Sequence, residues 1–113
     1  MSEPIELSSG NFKQEVLESD VPVMVDYWAA WCGPCRALGP VVEELASEHA
    51  GSLKVGKVDV DAEPKLAAEA GAMSIPLVVL YRDGAAVARS VGAVPKPQLE
   101  SPLGLDGVLG RAA

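Results

Sequence analysis

The chain has 113 residues, the size of one domain, and can bury roughly 65% of its unfolded surface. Sixteen acidic against nine basic residues leave a net charge of −7, which repels a nucleic-acid backbone and argues against that class of partner. Nine prolines and eleven glycines, about 18% of the chain, fall below the ~25–30% of disordered sequences, and no apolar run nears the ~20 residues of a membrane span. The polar, acidic start MSEPIELSSG has neither the basic head nor the apolar stretch of a signal peptide, so a cytoplasmic location is expected.

In chain order, Ile5 and Leu7 alternate with Glu6 as in a short strand. Ser8 to Asn11 offers helix caps, with Asn11 and Gln14 resembling a capping box, and Phe12, Val16 and Leu17 follow at helical spacing. Asp20-Val21-Pro22 ends that segment. Val23 to Trp28 is apolar apart from Asp26, the signature of a strand buried on both faces. Pro34 suits the first turn of a helix that runs through Leu38, Val41, Val42, Leu45 and Ala46 to Ala50, with Gly51 as its stop and Pro40 as a kink. Leu53, Val55 and Val58 alternate around Lys54 and Lys57, so residues 22–58 read as a right-handed βαβ unit. Asp61 is placed to cap a short helix with Pro64 in its first turn, ending near Gly71. Leu77 to Tyr81, the turn Asp83-Gly84 and Val87 to Val91 form a hairpin. From Pro95 onward, Leu99, Leu103, Leu105, Val108 and Leu109 suggest a final helix. The order gives an α/β fold, a central mixed β-sheet flanked by helices, mostly parallel with an antiparallel hairpin edge, in a single domain over 1–113.

Cys32 and Cys35 are the whole thiol inventory. A disulfide between them closes a loop so short that it is worth about 2 kcal/mol, against about 3 for a 15-residue loop, so the pair is a poor staple. Its position after a buried strand and at the start of a helix points to chemistry instead. Unpaired amides and partial positive charge at a helix N-terminus favour a thiolate, the form that attacks a disulfide. Cys32 is expected at that end and exposed; Cys35, one turn in, is expected to be shielded and able to resolve a mixed disulfide on Cys32. An inert structural disulfide, or half of a zinc site completed by His49, is the competing reading.

Asp26 is a carboxylate in a strand with no exposed face, which is costly unless it is paired or protonated. Lys57, on the adjacent strand, is its expected partner, and a raised pKa would let Asp26 exchange a proton with Cys35. Trp28 reads as core; Trp31, beside the leading thiol, reads as site. Ile75-Pro76 opens an apolar strand with proline, which suggests a cis bond that turns the Ile75 backbone outward.

The run from Asp26 through Trp31-Cys32-Gly33-Pro34-Cys35 to Arg36 resembles the active-site segment of the thioredoxin family. Lys57 to Asp61, Ser74-Ile75-Pro76, Asp83-Gly84 and Val91-Gly92-Ala93 match that family in order and spacing. The resemblance implies the thioredoxin fold and a protein-disulfide reductase, with Cys32 as nucleophile, Cys35 as resolving thiol, and Asp26 and Lys57 assisting. It implies disulfide-bearing client proteins as substrates and electrons from NADPH through thioredoxin reductase. No cofactor or metal is called for by the residues, and a monomer is expected. It also implies a flat apolar docking surface of Trp31, Gly33, Pro34, Val60, Ile75, Pro76, Gly92 and Ala93. Met73, Ser74 and Leu77 depart from the family pattern beside that surface. So does the C-terminus, where Pro95, Pro97 and Pro102 with Gly92, Gly104, Gly107 and Gly110 predict a broken last helix. The rival functions are a binding subunit of the same fold that does not use its thiols, and a thiol oxidase or isomerase; Gly-Pro between the cysteines resembles reducing members.

Overall fold

The computed structural model describes residues 3–100. Five strands form one sheet in the order β1-β3-β2-β4-β5: β1 (Ile5–Glu6), β2 (Val23–Trp28), β3 (Lys54–Asp59), β4 (Leu77–Arg82) and β5 (Ala85–Val91). The β1–β3 and β3–β2 pairs are parallel; β4 runs antiparallel to both β2 and β5. The helices are α1 (Gly33–Glu48), α2 (Pro64–Ala70) and α3 (Lys96–Glu100). The sheet is mixed and flanked by helices as expected, but it is not mostly parallel: antiparallel pairing reaches the central strand through β2–β4, so two of the four pairs are antiparallel.

β2 lies at the centre of the sheet, and its apolar run buries both faces. Met24 on one face packs with Val55, Val78 and Leu80 under Leu38, Val42 and Leu45 of α1 and Leu99 of α3. Val25 and Tyr27 on the other face pack with Val58, Leu77 and Val79 and with Val16 and Leu66. The period-two alternation of strand side chains thus divides the core into two layers. Asp26 is the one polar residue buried among the described residues.

The local departures have local causes. The segment after β1 is a π-helical turn, Lys13–Leu17, and not a capped α-helix. Asn11 forms no capping box: its side chain ties back to the Ser8 amide (2.7 Å) and the Glu6 carbonyl (3.1 Å). The helix expected to begin at Pro34 and reach Ala50 starts at Gly33 and ends at Glu48, running as one helix through Pro40. Asp61 does not cap α2. Asp59, at the end of β3, takes the Asp61 and Ala62 amides (2.9 and 3.4 Å), and Glu63 enters the helix without a side-chain cap. Asp83 and Gly84 both have positive φ (53° and 82°), the backbone of a tight hairpin turn, as expected, although β5 starts earlier, at Ala85. The break expected at Pro102 lies outside the described residues. Among those residues, no helix is long and apolar enough to cross a membrane.

Gly56 sits where β3 passes beneath Leu7, and a Cβ there would overlap the Leu7 side chain and approach the Ile5 carbonyl to 3.3 Å. Gly56→Ala is therefore expected to cost about 1–3 kcal/mol in denaturant unfolding. In a Leu7→Ala background most of that cost should vanish.

Candidate redox site

β2 ends at Trp28, and a short loop delivers Cys32 as the N-cap of α1. The Cys32 sulfur accepts the Cys35 amide at 3.2 Å, and the Cys32 carbonyl accepts the Arg36 amide at 3.2 Å. One free amide from the first turn of a 16-residue helix thus points at the leading sulfur, an arrangement that favours a thiolate. Cys32 and Cys35 are joined as a disulfide, with Cα atoms 5.2 Å apart.

One expectation about the cysteines needs correction, and one competing reading is excluded. Cys32 is not broadly exposed: it retains 5% of its surface against 3% for Cys35. Ala29 is buried with the pair, and Trp28, Val60 and Ile75 pack against it, so only a narrow opening reaches the leading sulfur. His49 cannot complete a metal site with the cysteines, because it caps the other end of α1, about 25 Å away.

The docking residues inferred from the resemblance come from separate loops. Gly33 and Pro34 are exposed beside the disulfide, and Trp31 is 67% exposed. The Trp31 indole donates to Asp61, the residue expected to cap α2, at 2.8 Å. Asp59 frees Asp61 for it by taking the amides at the start of that turn. Val60 is half-buried against the cysteines. The Ile75–Pro76 bond is cis, and the Ile75 carbonyl lies 3.9 Å from the Cys32 sulfur. Gly92 donates its amide to the Pro76 carbonyl at 2.8 Å with φ of 99°, which brings the β5 end and exposed Ala93 to the same rim. Arg36, which the sequence reading gave no role, ties its guanidinium to the Ala30 carbonyl at 2.8 Å and braces the loop before Cys32.

Asp26 is 1% exposed, and neither carboxylate oxygen has a hydrogen-bond partner among the described residues. Burial pushes its pKa up to about 6, with Lys57 pulling in the opposite direction. Lys57 is not the ion-pair partner expected from the sequence. It stands abreast of Asp26 in the β2–β3 register, but its ammonium lies over the Trp28 ring, 4.5 Å from the centroid. The competing attraction is the negative face of the indole.

A carboxyl whose folded pKa is raised stabilises the fold below its unfolded value and loses that contribution as pH rises through the folded one. Between pH 4 and pH 8 Asp26 should therefore cost the fold about 3 kcal/mol, from a shift of 3.8 to about 6. Asp26→Asn is expected to be more stable than the parent by up to that amount at pH 8, with the gap closing near pH 4, in denaturant titrations of the oxidised protein. A gap that does not change with pH would show that Asp26 is not desolvated.

Residues 3–104 match the family model described as Thioredoxin. The chain is 48% identical to "Thioredoxin 1" of a Nostoc species, over 91% of this chain and 96% of that protein. It is 48% identical to "Thioredoxin" of Porphyra purpurea, over 87% and 92%. It is 44% identical to "Thioredoxin" of Haemophilus influenzae, over 88% and 92%. With a bonded cysteine pair at a helix start in the thioredoxin fold, these matches establish that the chain belongs to the thioredoxin family and is a thiol-disulfide oxidoreductase working by dithiol–disulfide exchange.

Proposed function

We propose that this single-domain chain, spanning 1–113, is a monomeric protein-disulfide reductase of the cytoplasm, with the work divided between its two sulfurs. The observation that carries the division is the Cys35 amide donating to the Cys32 sulfur at the start of α1. That donor lowers the cost of negative charge on Cys32 and leaves Cys35 without the same support. The Cys32 thiolate attacks one sulfur of a client disulfide. A mixed disulfide forms and one client thiolate leaves. Cys35 then loses its proton and attacks the Cys32 sulfur; the second client thiolate departs, and the protein is left with the Cys32–Cys35 bond.

Asp26 is the proton acceptor for Cys35. With its pKa at about 6 it is mostly ionised at neutral pH, yet basic enough to take a proton from a thiol. Lys57 tunes that carboxylate by its charge. Clients dock on Trp31, Gly33, Pro34, Val60, Ile75, Pro76, Gly92 and Ala93. The Ile75 carbonyl at 3.9 Å from the leading sulfur supports an extended client segment pairing there. Thioredoxin reductase, with NADPH as electron source, returns the disulfide to the dithiol, and no cofactor resides in the chain.

Cys35→Ser should accumulate a mixed disulfide with a protein client on Cys32, seen as a mass adduct that dithiothreitol removes, while Cys32→Ser should accumulate none. The opposite pattern would reverse the two roles. Equilibration of the parent dithiol with glutathione should leave it a reductant; a strongly oxidising equilibrium would favour an oxidase or isomerase. In single-turnover insulin reduction Asp26→Ala should slow release of the second client thiol by about 10- to 100-fold near neutral pH while leaving the first attack largely intact.

A further inference from the structure

Asp26 and Lys57 are register partners across the parallel β2–β3 pair, so their side chains leave the same face of the sheet. Trp28, two residues after Asp26, leaves that face as well, opposite Asp59. Lys57 thus has a carboxylate abreast of it and an indole on the diagonal. Its ammonium lies over the indole, and both Asp26 oxygens stay without a hydrogen-bond partner among the described residues. We propose that Trp28 is a positioning residue: its ring holds the Lys57 ammonium off Asp26 and so sets the protonation of that carboxylate while Cys35 resolves the mixed disulfide.

The surrounding charges fit this arrangement. Glu6 of β1, Asp59 of β3 and Glu63 before α2 line one cavity with Trp28 and Lys57, so three further carboxylates share that cavity with the ammonium. Around Asp26, β4 places Val78 in register, and α1 buries Cys35, Leu38, Val42, Leu45 and Ala46, none of them charged. Among the described residues, Lys57 is the charged group that pulls the Asp26 pKa down against its burial. An ammonium that settles within about 4–6 Å of a carboxyl lowers its pKa by about 1–3 units. Where the ring holds Lys57 therefore decides whether Asp26 is a working base or a permanently ionised partner.

The test is a carbon-13 NMR titration of the Asp26 carboxyl in the oxidised full-length chain. Trp28→Leu should lower the midpoint by about one unit, and Trp28→Phe, which keeps a ring, should leave it near the parent value. In a Lys57→Met background Trp28→Leu should move nothing. Tetrafluorotryptophan keeps the shape of the indole and removes its negative face, so its incorporation should lower the midpoint even if Trp28→Leu does not fold. An unmoved midpoint in these proteins, or an equal shift with and without Lys57, overturns the proposal. The consequence for rate rests on the role given to Asp26 above: the pH dependence of client release should move with the midpoint. Because the titration needs no turnover, a shifted midpoint with an unshifted rate profile would sink the proton-acceptor role of Asp26 and leave the positioning role of Trp28 standing.

Discussion

One hydrogen bond organises the reactive end of this molecule, from the Cys35 amide to the Cys32 sulfur. It exists because a helix leaves its first amides unpaired and because Pro34, with no amide to donate, occupies the first turn between the two cysteines. A side chain at the N-cap takes the place an aspartate or serine holds in an ordinary helix, and here that side chain carries the sulfur proposed as nucleophile. The cap that starts α1 is thus also the site, and anything that loosened the first turn would weaken both.

The central strand supplies the second constraint. β2 must be apolar to serve two core layers, and it carries one carboxyl nonetheless. Burial with no hydrogen-bond partner among the described residues makes Asp26 a liability for the fold at neutral pH and, for the same reason, suits it to the proposed role of base. The pH dependence of stability and the proton transfer proposed for Cys35 both rest on this desolvated group. The neighbouring cation could have neutralised it, but Lys57 rests on Trp28 instead. Trp28 therefore belongs to neither the core nor the site alone: it packs against the cysteine pair on one side and supports an ammonium on the other.

The rim around the disulfide is assembled from loops that lie far apart in the chain. Asp61 anchors the Trp31 indole, the Ile75 carbonyl faces the leading sulfur, and Gly92 is bound to Pro76 across the start of β4. Each contact is short-range in space and long-range in sequence. Together they leave Cys32 a narrow opening in place of an open face, so access is controlled by shape as well as by charge.

Much of this was legible along the chain, because periodicity and punctuation are local. The apolar run of β2, the hairpin turn at Asp83-Gly84, the helix after Pro34 and the reactive spacing of Cys32 and Cys35 each follow from a few neighbouring residues. Asp26 stood out for the same reason, a charge where the pattern allows none. What the chain could not disclose were the choices made between competing partners in space. Asp61 was available to cap a helix but is bound to Trp31, since Asp59 reaches the amides first. Lys57 was available to pair with Asp26 but lies over Trp28, and Cys32 was placed to be open but is covered by Val60 and Ile75. A side chain with two possible partners is assigned by distance and desolvation, and both quantities come into being only when β2, β3 and the loops after them are packed together.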